Sequence, residues 1–340
     1  YFNLISIILP FGEVWRGLSM SEEIITDNHW LVITNPKAGI RKLPKQREFI
    51  IHTLNQAGIP FIYKETEYSG HAIEIAKLYT RRGCVNFLVL GGDGSISEVI
   101  NGIFAANTGD TSGIRIALIP RGTGNDWGRF WKLRKNDKKS MSVFLQNNVQ
   151  LIDIGKIDYV VDGVPDTRFF INSIGFGLDG EVTNLTHRLK KYTGSFSFLY
   201  TIALLAAVFR YKSTDADITI NRIKHSLKLF TMNIANGCFS GGGIRQNPSA
   251  LPYDGVFDMI VVEKPTFKDI ITALPLIFNG KITKHPVIKS YRTDVIGVKC
   301  SESIQVEADG IIVPGAHNCT VSILTDAIRM IVPKSELSRS

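Results

Sequence analysis

Cysteine is scarce in this 340-residue chain: Cys84, Cys238, Cys300 and Cys319 stand far apart and never form a CxxC pair. That excludes a disulfide scaffold and a cysteine zinc site, and it fits a reducing compartment. Seven histidines are scattered without an HExxH or comparable ligand spacing. Long apolar runs are also missing. Leu4 to Phe11 has no basic stretch ahead of it and is interrupted by Pro10, with Glu13 and Arg16 just beyond. Phe196 to Phe209, with Ser195 as its expected N-cap, is shorter than the roughly 20 residues of a spanning helix. It is expected as a buried or surface-docked helix. GxxxxGK(S/T) does not occur, so a Walker-A loop is excluded. No internal repeat, coiled coil or low-complexity stretch is visible. Charged residues make up 21% and hydrophobic ones 44%, which rules out a disordered or fibrous chain.

What is present suits two domains of ordinary size. From Trp30 to about Leu145, short apolar runs (31–34, 61–63, 87–90, 114–119) alternate with helical spacings (43–57, 70–82, 95–106). This alternation predicts a parallel sheet covered by helices, whose ligands bind beyond the carboxyl ends of the strands. After Gln150 the texture changes to apolar runs separated by turns, with helical segments at 196–210 and 266–279. That predicts a mostly antiparallel β domain, sandwich or barrel-like. The expected divisions are 28–148 and 149–319, with 320–333 returning to the first domain. Residues 1–20 and 334–340 are expected outside the folded core; Met20 is a candidate start.

The sharpest feature is Gly91-Gly92-Asp93-Gly94-Ser95, where an apolar strand runs through glycines into a helix. Glycine lets backbone N–H groups approach an anion, and the helix N-terminus adds favourable partial charge. Asp93 could orient Mg²⁺ or accept a proton from an attacking hydroxyl, or simply cap the helix. Two further turns belong to the same edge: Asn35-Pro36-Lys37-Ala38-Gly39 after the first strand, and 120–126 after the fourth. In the latter, Thr123 and Asn125 offer polar groups to phosphate or base, and Arg129 lies one helical turn on. The net charge of +8 fits an anionic partner. Basic clusters at 132–139, 188–191, 210–212 and 222–228 read either as solvated surface or as attraction to anionic headgroups. No nucleic-acid-binding module is recognisable.

Several ordered motifs together resemble the diacylglycerol kinase catalytic-domain family, the soluble bacterial lipid kinases related to sphingosine and ceramide kinases. They are NPKAG (35–39), GGDGSISEVINGI (91–103), PRGTGNDWGR (120–129), VQLIDIGKID (149–158) and FINSIGFGLDGEV (170–182), then GGGI (241–244), ALPYDGVFD (250–258), TKHP (283–286) and ADG (308–310). The resemblance covers about 28–333. It implies an α/β nucleotide-binding domain and a β-rich lipid-substrate domain meeting at a cleft, and ATP- and Mg²⁺-dependent phosphorylation of a lipid hydroxyl such as that of diacylglycerol. It implies nucleotide contacts from Asn35, Pro36, Lys37, Ala38, Gly39, Thr66, Gly91, Gly92, Asp93, Gly94, Ser95, Ser97 and Thr123, with Asn125 and Arg129 completing the phosphate side. It also implies a structural Mg²⁺ at Asp254, with the carbonyls of Leu251 and Val256 as companions and Asp153 behind. A cytoplasmic enzyme meeting an anionic membrane surface peripherally is expected, with a homodimer left open.

Two departures from the pattern stand out. Ile40 follows the first turn where the family often has a base, with Arg41 and Lys42 next. More serious, Ile311 stands where the bacterial enzymes carry a catalytic Glu two residues after the acid matched by Asp309. Read as one strand, Glu307 would lie about 13 Å from position 311, four residues at ~3.3 Å, which argues against substitution. Asp93 is then the expected base, with Asp309 orienting the hydroxyl. Two alternatives remain: a kinase of a non-lipid substrate such as NAD, which shares GGDG, and a regulator that binds nucleotide or lipid after losing catalysis.

Overall fold

The computed structural model describes residues 25–337, apart from 37, 39–42, 134, 136, 194–198 and 302–303. The first half is built as the alternation predicts: β1 (Trp30–Thr34), α1 (Leu43–Gln56), β2 (Phe61–Glu65), α2 (His71–Arg81), β3 (Asn86–Gly91), α3 (Asp93–Ala105) and β4 (Arg115–Pro120). Two short helices, α4 (Asp126–Phe130) and α5 (Asp137–Gln146), follow. The strands pair in parallel in the order β4-β3-β1-β2. Alternate residues face opposite sides, as strand geometry requires. Leu31, Ile33, Phe87 and Val89 pack with α2 and α3, whereas Val32, Leu88 and Leu90 pack with Ile50 and Leu54 of α1 and with Phe144 of α5. Gly102 lets α3 press onto α2: a Cβ there would stand 2.4 Å from the carbonyl oxygen of Ile73.

The second half comprises β5 (Val149–Val161), β6 (Val164–Phe170), β7 (Ser173–Gly177), α6 (Leu178–Thr193), α7 (Leu199–Val208), β8 (Thr214–Ile220), β9 (Ile223–Ala235), β10 (Phe257–Glu263) and α8 (Phe267–Phe278). It ends with β11 (Ile288–Thr293), β12 (Val295–Cys300), β13 (Val306–Ala308), β14 (Ile311–Ile312) and β15 (Asn318–Ile331). Its pairings are antiparallel. Helix α6 is an addition to the two helices expected there; Leu178, Val182, Leu185 and Leu189 form its apolar stripe against α7. The expected cap Ser195 lies outside the described residues, as do 1–24 and 338–340.

Strands β5 and β15 join the halves. Ile152 and Ile154 of β5 belong to the first core, Ile157 and Tyr159 to the second. β15 pairs with β12 and β5, breaks register between Leu324 and Ile328, and then runs parallel to β4 at Arg329 and Met330. The described strands therefore form one continuous sheet. The start of the C-terminal tail departs from the expectation that it lies outside the core. Residues Lys334–Glu336 make a 3₁₀ turn, Glu336 pairs with Lys132 at 2.8 Å, and Leu337 packs on the first core.

Candidate functional site

The carboxyl ends of β1, β3 and β4 lie side by side, so the three noted turns converge. The Asn35 amide donates to the Leu90 carbonyl (3.2 Å) and the Arg121 amide to the Gly91 carbonyl (2.7 Å). Gly92 and Gly122 meet backbone to backbone: a Cβ on Gly92 would stand 2.8 Å from the Cα of Gly122. Neither position tolerates a side chain without parting the two turns.

Asp93 spends both carboxylate oxygens on the start of α4, accepting the Asp126 amide (Oδ2, 3.0 Å) and the Trp127 amide (Oδ1, 3.0 Å). It thus serves as a cap supplied from another helix, satisfying donors that α4 cannot satisfy itself. Asn125, in the left-handed region at φ 50°, donates from Nδ2 to the Gly122 carbonyl at 2.6 Å and holds the turn closed. Asp126 reaches across to the second domain, where its Oδ2 accepts the Gly242 amide at 2.7 Å. Its Oδ1 is buried and accepts no hydrogen bond, with Arg129 Nε 3.7 Å away. Arg129 Nη2 also donates to the Gly124 and Gly242 carbonyls at 3.3 Å each.

Opposite these turns, Asp309 and Gly310 sit at φ 49° and 76° and close a two-residue hairpin between β13 and β14. The chain reverses there, so Glu307 pairs with Ile312 and Ala308 with Ile311. The 13 Å separation reckoned along a single strand is therefore overturned, because 307 and 311 lie on facing strands. Asp309 accepts the amides of Ile171 (2.9 Å), Asn172 (2.9 Å) and Ser173 (3.3 Å), tying the β6–β7 turn to the hairpin.

Between the two walls lies a cavity of about 230 Å³. Asp93, Thr123, Gly124 and Asp126 line the first-domain side; Asn172, Ser173, Glu307 and Asp309 line the other, with His187, Lys190 and Tyr200 from α6 and α7. Gathering carboxylates out of water raises their affinity for protons. Burial, and then the Asp93 carboxylate, push Asp126 up to about 7. Burial raises Asp93 and Asp309 against the pull of their backbone donors. Glu307 is raised well above the usual glutamate range by burial, then by Asp179 and Asp309. His187 is lowered by burial and by Lys190.

A second pocket of about 80 Å³ is almost wholly apolar and lies beneath α8. Leu204, Val208, Phe230, Val262, Ile270 and Leu274 line it, and Gln246 borders both spaces. Gln246 Nε2 donates to Asp179 at 2.9 Å, alongside Asn233 and Thr231. Above the pocket, α8 is apolar yet buries no residue fully; Phe267 is 71% exposed, and Ile271 and Phe278 are also exposed. On α7 and just beyond it, Ile202, Leu205 and Phe209 are exposed, and the Phe209 and Phe267 rings lie 5.6 Å apart. Among the described residues, no helix is long and apolar enough to cross a membrane.

Of the residues singled out in the sequence, Asp93, Thr123 and Asp309 line the cavity, with Asn125 and Arg129 bracing its rim. Asn35, Pro36 and Ala38 follow β1, and Gly91, Gly92 and Gly94 form the neighbouring turn at the same edge. Ser95 and Ser97 are buried in the first turns of α3, and Thr66 lies farther out, past β2, its amide bonded to the Thr34 carbonyl at 2.9 Å. Lys37 and Gly39 lie outside the described residues.

The implied metal position does not gather with the rest. Asp254, Leu251 and Val256 do not line the cavity. The Asp254 carboxylate is ion-paired with Arg292, which also reaches Asp258 at 3.4 Å. The Asp153 oxygens are taken by the Asp326 and Gly255 amides at 2.9 and 2.8 Å. In this structure the Arg292 guanidinium neutralises Asp254 at the position where the resemblance implies Mg²⁺. Among the cavity residues that were missed are Asp126, inside the quoted PRGTGNDWGR motif, Lys190, noted only within the basic cluster 188–191, and Gln246, His187 and Tyr200, for which no local signal exists.

A sequence model of the diacylglycerol kinase catalytic domain matches residues 29–157. One of the YegS C-terminal NAD kinase β-sandwich-like domain matches 172–332. The chain is 27% identical over 285 residues to a diacylglycerol kinase of Staphylococcus saprophyticus, covering 82% of this chain and 87% of that protein. A Staphylococcus carnosus diacylglycerol kinase is 26% identical over 282 residues, covering 82% and 87%. A crystal structure of a diacylglycerol kinase from Bacillus anthracis superposes with a TM-score of 0.68 at 20% identity, covering 91% of this chain and 98% of that one. Yeast NADH kinase superposes with a TM-score of 0.52 at 12% identity, covering 92% and 85%, a likeness of fold.

Proposed function

The chain belongs to the diacylglycerol kinase catalytic-domain family, and on that premise we propose that it transfers the terminal phosphate of ATP to a lipid hydroxyl at a membrane surface. The observation that carries this reading is the pairing of two spaces across Gln246: a polar cavity walled by carboxylates and an apolar pocket that suits a hydrocarbon tail.

Phosphoryl transfer asks the protein for positioning and charge neutralisation more than for covalent help. Gly94 opens the N-terminus of α3 to an anion, since apart from its own turn of helix no atom stands within 4 Å of where its Cβ would be. Arg129 and Lys190 supply positive charge on either side. The Mg²⁺ that accompanies ATP as substrate would find an unspent, buried oxygen at Asp126 Oδ1. Asp93 holds α4 in place, and Asp309 shapes the wall on which the hydroxyl would rest. The exposed apolar side chains of the α7–α8 face, flanked by Arg210, Lys212, Lys264 and Lys268, suit a face that meets anionic lipid.

Ile311 favours a second reading, a regulator that has lost catalysis, because an alkyl group can accept no proton. Incubation with γ-labelled ATP, an extracted lipid mixture and NAD separates the readings. Label in a phosphorylated lipid supports the kinase reading. Label in NADP points to the NAD-directed alternative, and bound but untransferred ATP points to the regulator.

A further inference from the structure

We propose that Glu307 is the group that receives the proton of the attacking hydroxyl. This rests on the kinase reading above and goes beyond it by naming the acceptor. Four carboxylates face the cavity, and their oxygens are not equally free. Asp93 has both oxygens committed to α4, and Asp309 has both committed to the 171–173 turn. Asp126 holds the Gly242 amide with one oxygen and faces Arg129 with the other. Glu307 accepts the Gly310 amide at Oε2 (2.7 Å), and its Oε1 accepts no hydrogen bond from the described residues.

Position separates the four as well. Asp93 and Asp126 belong to the glycine turns, where the nucleotide phosphates would lie. Glu307 belongs to the β13–β14 hairpin on the opposite wall, which it shares with Asn172 and Ser173. An acceptor hydroxyl entering from the apolar side would meet this wall first. The hairpin brings Glu307 and Asp309 to the same wall although Ile311 offers nothing, so the missing acid beyond Asp309 does not leave the wall without a base.

In the transfer, the hydroxyl O–H bond breaks and its proton moves to Glu307 Oε1. The oxygen forms a bond to the terminal phosphorus. The bond from that phosphorus to the bridging oxygen breaks, and the nucleoside diphosphate leaves with the electron pair. Glu307 must be ionised to act. It is faced by the carboxylates of Asp179 and Asp309 and the guanidinium of Arg168, with Asp93, Asp126, His187, Lys190 and Tyr200 around the cavity. The surplus of negative charge gives the rate an acid limb displaced upward from the ordinary glutamate range.

The test is steady-state transfer from ATP to diacylglycerol in mixed micelles over a range of pH, with melting curves confirming folded protein. Glu307→Gln keeps the acceptor for the Gly310 amide, so kcat should fall by about 10²–10⁴-fold with KM for ATP little changed and the acid limb abolished. Glu307→Asp keeps a carboxylate and should retain more activity than Glu307→Gln, with the limb still present. Wild-type kcat and pH profile in Glu307→Gln would overturn the proposal and leave the kinase reading standing. Equal losses in both variants would also overturn it, by pointing to shape rather than charge. A wild-type protein that phosphorylates no lipid would overturn both readings.

Discussion

Replacing Asp126 by Asn should make the folded chain more stable and less able to bind nucleotide. In the fold, burial and the neighbouring Asp93 push the Asp126 carboxyl up to about 7, so the native state holds this proton more tightly than the unfolded chain does. Stability from this group is greatest at low pH and is lost progressively between about pH 4 and pH 7, with no further loss above. About three pKa units at ~1.36 kcal/mol each set a ceiling of about 4 kcal/mol, reduced because Asp93 and Asp126 titrate as a pair. The amide can still accept the Gly242 N–H with its oxygen, and its NH₂ group takes the place of an oxygen that accepts nothing. Calorimetric melting at pH 8 should therefore give Asp126→Asn a Tm higher by on the order of 5 °C. The gap should close as pH falls toward 4, and affinity for ATP in the presence of Mg²⁺ should drop at least tenfold. Parallel melting curves for the two proteins at every pH would refute the reasoning.

Three further outcomes are expected. Gly94→Val should leave the melting curve nearly unchanged, because apart from its own turn of helix nothing in the fold stands within 4 Å of the added Cβ, yet calorimetry should detect no ATP binding; undiminished affinity would remove this turn from the phosphate site. Melting of the wild type should be insensitive to EDTA, since Arg292 supplies the charge at Asp254; Arg292→Ala should cost about 1 kcal/mol, recovered in part by millimolar Mg²⁺, and a wild-type Tm that falls on chelation would contradict this. Phe209→Ser combined with Phe267→Ser should reduce cosedimentation with anionic vesicles, and wild-type binding should weaken as salt shortens the Debye length from ~10 Å at 0.1 M to ~3 Å at 1 M; equal, salt-insensitive binding to neutral and anionic vesicles would refute that docking face.

The parallel half was legible because its elements are local. Period-two and period-3.6 patterns, bounded by glycine and proline, marked β1 to β4 and α1 to α3 within one or two residues. Helix α6 escaped although its apolar stripe was present, since Gly177 and Gly180 at its start read as turn residues. The hairpin at Asp309–Gly310 also had a signal, because an Asp-Gly pair between short apolar runs favours the two-residue turn. Reading 307–311 as one strand set that signal aside and misplaced Glu307. The ion pair between Asp254 and Arg292 had no such signal. It depends on the β10–β11 register, in which Asp258 faces Arg292, and register is set by packing across the sheet. The cavity itself depends on β5 and β15 crossing between the halves, a long-range feature that no window of sequence displays.

A crystal structure of the chain with a non-hydrolysable ATP analogue and Mg²⁺ tests the central claim most directly. The terminal phosphate should lie over Gly94, within reach of Arg129, and face the cavity wall that carries Glu307 and Asp309. A nucleotide bound with its phosphates outside that cavity would contradict the account.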